Sequence, residues 1–257
     1  MVFRTPKRSD RLHGELYDEI RLLKYLKNRV DIGIPDYTYV LKDGTAAGYR
    51  LLRGQELKPS RFKRLARPEK EMIAEQIASF LTVLHTMPKS VIKKCHLRTE
   101  NHVDHYIKLV HDTRRLVFPR LSNPEVKIIE QYFVQLKAAL SHRHRNVLVH
   151  NDLTWEHILW DRKKQKVSII DFSDRALGDP AVDFAGLHEY GLDFVKRVLS
   201  LYGCEKDEHM LYRSQLYFKR ISLFIMNDAL KGWSCTFKEG YKMFKEYFKL
   251  KPAMHKV

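Results

Sequence analysis

The stretch Val147-Leu148-Val149-His150-Asn151-Asp152-Leu153-Thr154-Trp155-Glu156-His157-Ile158-Leu159-Trp160, with Val167-Ser168-Ile169-Ile170-Asp171-Phe172 close behind, decides the fold. It contains short apolar runs of strand length. Val147 to Val149, His157 to Trp160 and Val167 to Ile170 read as buried strands, the last two joined by the polar turn Asp161-Arg162-Lys163-Lys164-Gln165-Lys166. Adjacent strands would carry Asp152, His157 and Asp171 to one rim. An Asp at a strand end is usually a turn or cap residue. Here spacing and strand context agree on a shared site instead.

Two carboxylates and an imidazole in this order suit phosphoryl transfer. One Asp orients the attacking hydroxyl, and two further ligands hold the divalent cation that neutralises nucleotide phosphates. His150 and Asp152 match the H-x-D-x-x-x-x-N catalytic loop of protein kinases, with His157 where Asn usually stands.

The chain continues without a break through Ser173-Asp174-Arg175-Ala176-Leu177-Gly178-Asp179-Pro180-Ala181-Val182-Asp183-Phe184. The loop at His150, the segment Ile169-Ile170-Asp171-Phe172-Ser173-Asp174 and the segment Gly178-Asp179-Pro180-Ala181-Val182-Asp183-Phe184 together resemble the aminoglycoside phosphotransferase family. That family is the antibiotic-kinase branch of the protein-kinase-like fold. His157 resembles most the subgroup that phosphorylates the 2''-hydroxyl. The resemblance implies an α+β, protein-kinase-like two-lobe fold with a truncated N-terminal lobe and a mostly helical C-terminal lobe. It implies Asp152 as catalytic base and His157 and Asp171 as Mg2+ ligands. His150 and Asp183 would give structural support, and ATP or GTP would be the phosphoryl donor.

Leu16, Ile20, Leu23 and Leu26 predict a helix over roughly 15–28. Tyr37 to Lys42, Asp43-Gly44 and Gly48 to Leu52 read as a hairpin with its turn. Charged, Pro-containing sequence from Glu56 to Pro68 suits a hinge. This gives a small nucleotide-binding lobe over 1–54 and a large catalytic and substrate-binding lobe over 55–257. Pro68-Glu69 opens a helix with Ile73, Ile77, Phe80, Leu81 and Leu84 on one face, ending near His85, which reads as a structural helix-end residue. Val126, Ile129, Phe133, Leu136 and Leu140 mark another helix, and the chain beyond Phe184 reads as mostly helical.

By the same resemblance, Val2-Phe3-Arg4 is the end of the strand that carries the phosphate-contacting cation, either Arg4 or Lys7. Glu19 would pair with that cation and fix it against the phosphates. Tyr49 to Leu52, Tyr49 and Leu51 among them, would lie at the edge of the nucleotide base, read by backbone groups. No Gly-rich phosphate-covering loop precedes this strand. A late start site, a truncation and a natural loss all stand open as its origin.

With 257 residues and 44% apolar content, the chain can bury a full core. Cys95, Cys204 and Cys235 are widely spaced and odd in number, which fits neither a disulfide framework nor a zinc site and suggests the cytoplasm. Neither a signal segment nor a membrane-length run is present. The formal charge of +16 is spread along the chain without a nucleic-acid motif. A solvated basic surface is expected, with some cations serving nucleotide phosphates. Nucleotide and a small-molecule hydroxyl substrate are the expected partners; nucleic acid and membrane are not, and no obligate protein partner is implied.

Glu189 and Asp228, with Asp193, are the carboxylates available to an acceptor site. Residues 211–257 hold ten Lys and Arg against three Asp and Glu, which argues against a dedicated polycation site and suits a neutral or anionic hydroxyl compound. Tyr217, Phe218, Phe224, Trp233, Phe237, Tyr241, Phe244, Tyr247 and Phe248 form an aromatic tail whose helical spacing predicts core packing. Two rival readings remain: a non-catalytic protein on the same scaffold, and a basic nucleic-acid binder resting on charge alone.

Overall fold

A computed structural model of the chain describes residues 1–5, 12–41, 46–142 and 144–249. Packing divides it into two compact units, Met1–Thr99 with Asn146–Glu205, and Glu100–Arg145 with Lys206–Val257. The boundary expected near residue 54 therefore falls inside the first unit.

The first unit begins with strand β1 (Val2–Arg4) and helix α1 (Leu12–Leu26), followed by β2 (Tyr37–Val40) and β3 (Ala47–Tyr49). The strands form an antiparallel sheet in the order β1-β3-β2. The expected hairpin is β2 and β3; its Asp43-Gly44 turn lies outside the described residues, as does Lys7. Leu16, Ile20, Leu23 and Leu26 are buried along α1 at the predicted spacing.

The expected hinge is ordered structure. Strand β4 (Gln55–Glu56) and short helix α2 (Pro59–Lys63) occupy it, and Gln55 and Glu56 pair with Trp160 and Leu159. Helix α3 (Arg67–His85) follows, with Pro68 in its first turn and the Glu69 carboxylate returning to the Ala66 N–H at 3.4 Å. Its predicted face of Ile73, Ile77, Phe80, Leu81 and Leu84 is at most 1% exposed. Each such burial is worth roughly 1.5–3 kcal/mol.

After α4 (Lys89–Lys94) the chain enters the second unit and returns at β5 (Val147–Val149). Strands β6 (Ile158–Asp161) and β7 (Lys166–Ile169) form an antiparallel hairpin, and β5 pairs with β8 (Ala176–Gly178). The Asp161 carboxylate accepts the N–H groups of Lys163 and Lys164 at 3.0 and 3.2 Å, which shapes the turn. Gln76 of α3 holds the hairpin from below: its Oε1 accepts the Val167 N–H at 2.8 Å, and its Nε2 donates to the Gln165 carbonyl at 2.9 Å. Gly33, just past α1, forms a parallel bridge to Ser168 of β7. A Cβ at residue 33 would collide with the Ser168 side chain, so only glycine permits the approach. A turn over Gly186–Tyr190 and helix α7 (Leu192–Leu201) complete the unit.

The second unit holds α5 (His102–Asp112), α6 (Asn123–Leu140), α8 (Met210–Leu230) and α9 (Phe237–Tyr247), with a π-helical turn over Thr113–Val117. Asn101 caps α5 through the N–H groups of Val103 and Asp104. The π turn is bonded to α8, where Asn227 Nδ2 donates to Thr113 Oγ1 at 2.9 Å. The aromatic tail forms core: Phe218 meets Tyr247 at 3.9 Å between ring centroids, and Phe244 meets Phe248 at 4.7 Å. Trp233 departs from that expectation, with 68% exposure at the turn after α8. Among the described helices none is long and apolar enough to cross a membrane.

Candidate active site

Register places the metal-ligand candidates. Ile158 of β6 stands opposite Ile169 of β7, and the Ile170 N–H donates to the His157 carbonyl at 3.0 Å. His157 and Asp171 therefore leave the ladder at the same end. Strand β5 ends one residue before His150, and its partner β8 begins one residue after Arg175. Asn151 Nδ2 donates to the Asp174 carbonyl at 3.2 Å, tying the two loops together.

His157 joins the three groups. Its Nδ1 lies 2.8 Å from the Asp152 carbonyl and 3.4 Å from Asp152 Oδ2, while its Nε2 faces Asp171 Oδ2 at 3.8 Å. A carbonyl only accepts, so Nδ1 carries a proton, and Nε2 is the ring nitrogen left facing Asp171. The ring nitrogen and the carboxylate oxygen thus face each other at one end of the hairpin. Among the described residues no group of three or more His, Cys, Asp or Glu is arranged to hold a metal. A cation here must complete its shell from phosphates and water, as Mg2+ at nucleotide sites does.

The two carboxylates sit in opposed electrostatic settings. Burial pushes Asp152 up to about 6; Asp174, Asp171 and Glu156 add to the rise and His157 opposes it. Burial also acts on Asp171, yet hydrogen bonds from Ser173 and the charge of Arg4 outweigh it and hold the group down at about 2. Asp171 Oδ1 accepts from Ser173 Oγ at 2.6 Å and from Arg4 Nη1 at 3.1 Å. The backbone of Asp171 is left-handed, with φ 59°. One carboxyl therefore titrates near neutrality, while the other stays ionised well below it.

Asp183, fully buried, braces the loop of Asp152. It accepts the His150 N–H at 2.8 Å and the Asn151 N–H at 2.7 Å. Asn151 itself is left-handed, with φ 68°. His85 Nε2 lies 3.0 Å from Asp183, and its Nδ1 lies 2.7 Å from the Tyr202 hydroxyl. His85 thus ends α3 on the loop's brace. His150 is buried, with Nε2 at 3.1 Å from the Ile170 carbonyl; burial keeps it neutral. The turn at residue 186 supports the same loop. A Cβ at Gly186 would strike the Leu153 carbonyl oxygen.

Arg4 and Glu19 meet across a cavity of about 590 Å3. Arg98, Asp171, Asp174 and Arg175 also line it. Arg4 Nη1 is 3.5 Å from Glu19 Oε1 and 3.1 Å from Asp171 Oδ1. Glu19 is 2% exposed and accepts the Tyr37 hydroxyl at 2.9 Å. Arg21, its neighbour on α1, pairs with Asp18 instead.

Tyr49 and Leu51 are not among the residues lining that cavity. The Tyr49 ring is buried edge-on to Tyr37 at 5.2 Å, and the Leu51 side chain is 71% exposed. Glu189 lies half-buried in the Gly186–Tyr190 turn of the first unit. Asp228 belongs to the second unit, near the end of α8, with Lys231 Nζ at 3.9 Å.

The sequence reading passed over Arg175. It is buried, donates to the carbonyls of Phe172 and Glu15 at 2.9 and 2.8 Å, and stands 3.4 Å from Glu19 Oε2. The signal was an arginine leading straight into the buried strand β8, where a cation needs a buried partner.

A model of the phosphotransferase enzyme family matches residues 1–209. The chain belongs to that family. Among solved structures, the GDP and kanamycin complex of APH(2'')-IIIa is similar at a TM-score of 0.82 and 28% identity, over 95% of this chain and 85% of that one. The GDP complex of wild-type aminoglycoside 2'-phosphotransferase-IIIa gives 0.82 and 26%, over 96% and 85%. A macrolide 2'-phosphotransferase type I, at 18% identity and 0.64 over 98% and 83%, shares the fold. The fold is α+β and protein-kinase-like, with the smaller lobe at the N-terminus. The protein is a small-molecule kinase, transferring a nucleotide γ-phosphoryl group to a hydroxyl.

Proposed function

We propose that Asp152 accepts the proton of the acceptor hydroxyl, and that His157 and Asp171 hold Mg2+ against the phosphates of ATP or GTP. The observation that carries this reading is the orientation of His157, whose Nδ1 is spent on the Asp152 carbonyl while Nε2 faces Asp171. The cation supplies charge neutralisation when bound. The chain's own groups do the rest. Asp152, raised to about 6, is mostly ionised at neutral pH yet basic enough to draw a proton. Asp183 fixes it through the loop backbone. Arg4, half-buried between Glu19 and Asp171, is the cation that would hold the phosphates.

In this reading residues 1–54 form the nucleotide-binding lobe and 55–257 the catalytic and acceptor-binding lobe. The nucleotide base lies along the backbone of Tyr49 to Leu52, which leaves the exposed Leu51 side chain without a direct role. The acceptor is a neutral or anionic hydroxyl compound, in keeping with the basic balance of residues 211–257. Glu189 is the carboxylate that the first unit offers it. The three free thiols suit a cytoplasmic setting.

The test is calorimetry with ATP and GTP, each with and without Mg2+, followed by a phosphate-transfer assay over sugars, amino alcohols and aminoglycosides including kanamycin. Metal-dependent nucleotide binding with transfer to a neutral or anionic acceptor is expected. Transfer confined to aminoglycosides would overturn the acceptor class. Nucleotide binding without transfer to any acceptor would make the chain a non-catalytic member of its family.

A further inference from the structure

Glu19 is served by two arginines, and its oxygens are divided between them. Oε1 takes the Tyr37 hydroxyl at 2.9 Å and faces Arg4 at 3.5 Å; Oε2 faces Arg175 at 3.4 Å. The two guanidinium groups are held differently. Arg175 is 8% exposed, and its side chain also grips the Glu15 carbonyl in the first turn of α1 and the Phe172 carbonyl beside Asp171. Its Nε makes no hydrogen bond among the described residues. Arg4 is more exposed and makes its shorter contact to Asp171 rather than to Glu19.

We infer that Arg175 is a positioning residue that docks α1 onto the metal-ligand loop through Glu19, leaving Arg4 unburdened to serve the phosphates. This deepens the kinase reading above and rests on it for the role of Arg4. The physical reason is that an ionised carboxylate left buried without a compensating cation is costly. Were Arg4 the sole partner of Glu19, moving to the phosphates would strand that charge. With Arg175 fixed in place, Arg4 can exchange Asp171 for phosphate while Glu19 stays compensated. A lysine at 175 would keep the charge but not the fork that spans two carbonyls and a carboxylate.

Two measurements on the full chain decide it. The first is amide hydrogen exchange over residues 12–26 without ligand. Arg175→Met should speed exchange there, whereas Arg4→Met should leave it at the wild-type rate. The second is a double-mutant cycle on affinity for Mg-ADP and Mg-GDP. Arg4→Met should cost about tenfold in the wild-type background, the usual worth of a charged hydrogen bond. It should cost clearly less in the Arg175→Met background, where Glu19 retains Arg4. General destabilisation by Arg175→Met would lower the melting temperature without changing what Arg4 is worth. If Arg175→Met does not fold, Arg175→Lys takes its place in both measurements. Unchanged exchange in the 175 variant, faster exchange in Arg4→Met, or strict additivity in the cycle would each overturn the inference. Failure of the wild type to bind either nucleotide would remove the kinase reading, and the exchange comparison would still decide whether Arg175 docks α1.

Discussion

In the loop that carries Asp152, two backbone N–H groups end on one buried carboxylate, Asp183. In the corner around Glu19, one buried carboxylate faces two guanidinium groups. The first plan leaves no alternative arrangement: both Asp183 oxygens are used, and His85 closes the set. The second contains a group, Arg4, that already stands between two carboxylates. A proton acceptor gains from being held still, because misplacement by a fraction of a bond length is costly in rate. A phosphate ligand must let go of protein partners when nucleotide enters. On the roles proposed for Asp152 and Arg4, the two regions divide these demands between them.

The comparison breaks if the rigid region turns out dispensable. Asp152→Asn should lower turnover by roughly 10²–10⁴-fold, the contribution of a general base, with nucleotide affinity nearly intact. Equal turnover in steady-state kinetics would remove Asp152 from the chemistry. Asp183→Asn presents an amide donor where N–H groups expect an oxygen, and should cost about 3 kcal/mol of folding stability in urea titration. A loss near zero would mean that the loop holds its shape without its brace.

The pH dependence sharpens the comparison between the two carboxylates. With the ionised form of Asp152 as the proposed base, kcat/KM should be flat above about pH 6 and fall about tenfold per pH unit below it. Asp171, held at about 2, stays ionised through that range and adds no second limb there. An acid limb that persists in the residual activity of Asp152→Asn would assign it elsewhere. A smaller effect concerns the cation. An imidazole ligand favours Mn2+ over Mg2+ more than an amide oxygen does. His157→Asn should shift the ratio of Mn2+- to Mg2+-supported nucleotide affinity several-fold toward Mg2+; an unchanged ratio would count against His157 as ligand.

What sequence alone could show followed from the range of the interactions. The faces of α1 and α3 and the strands around Asp152 are local patterns, and they lie within a few residues of where periodicity places them. The juxtaposition of His157 and Asp171 needed only the pairing of two neighbouring strands. Arg175 and Glu19 stand 156 positions apart, so no local rule could join them. His85 was legible as a helix end, but its bond to Asp183 spans 98 positions. Glu56 looked like the start of a linker because a two-residue strand has no period; its pairing, with Gln55, to Leu159-Trp160 supplies the order. The π turn after α5 is fixed by contact with α8, which the sequence at 113–117 does not announce.

The seat of Gly33 on β7 has a mechanical consequence. Its N–H donates to the Val167 carbonyl and its carbonyl accepts from the Ile169 N–H, both at 2.8 Å. The chain leaving α1 is thereby riveted on both sides to the hairpin that presents His157 and precedes Asp171. The chain is thus pinned just beyond the exit of α1, while Arg175, in the loop before β8, holds Glu19 on the helix itself. Any side chain introduced at 33 would press on Ser168 and loosen that pin.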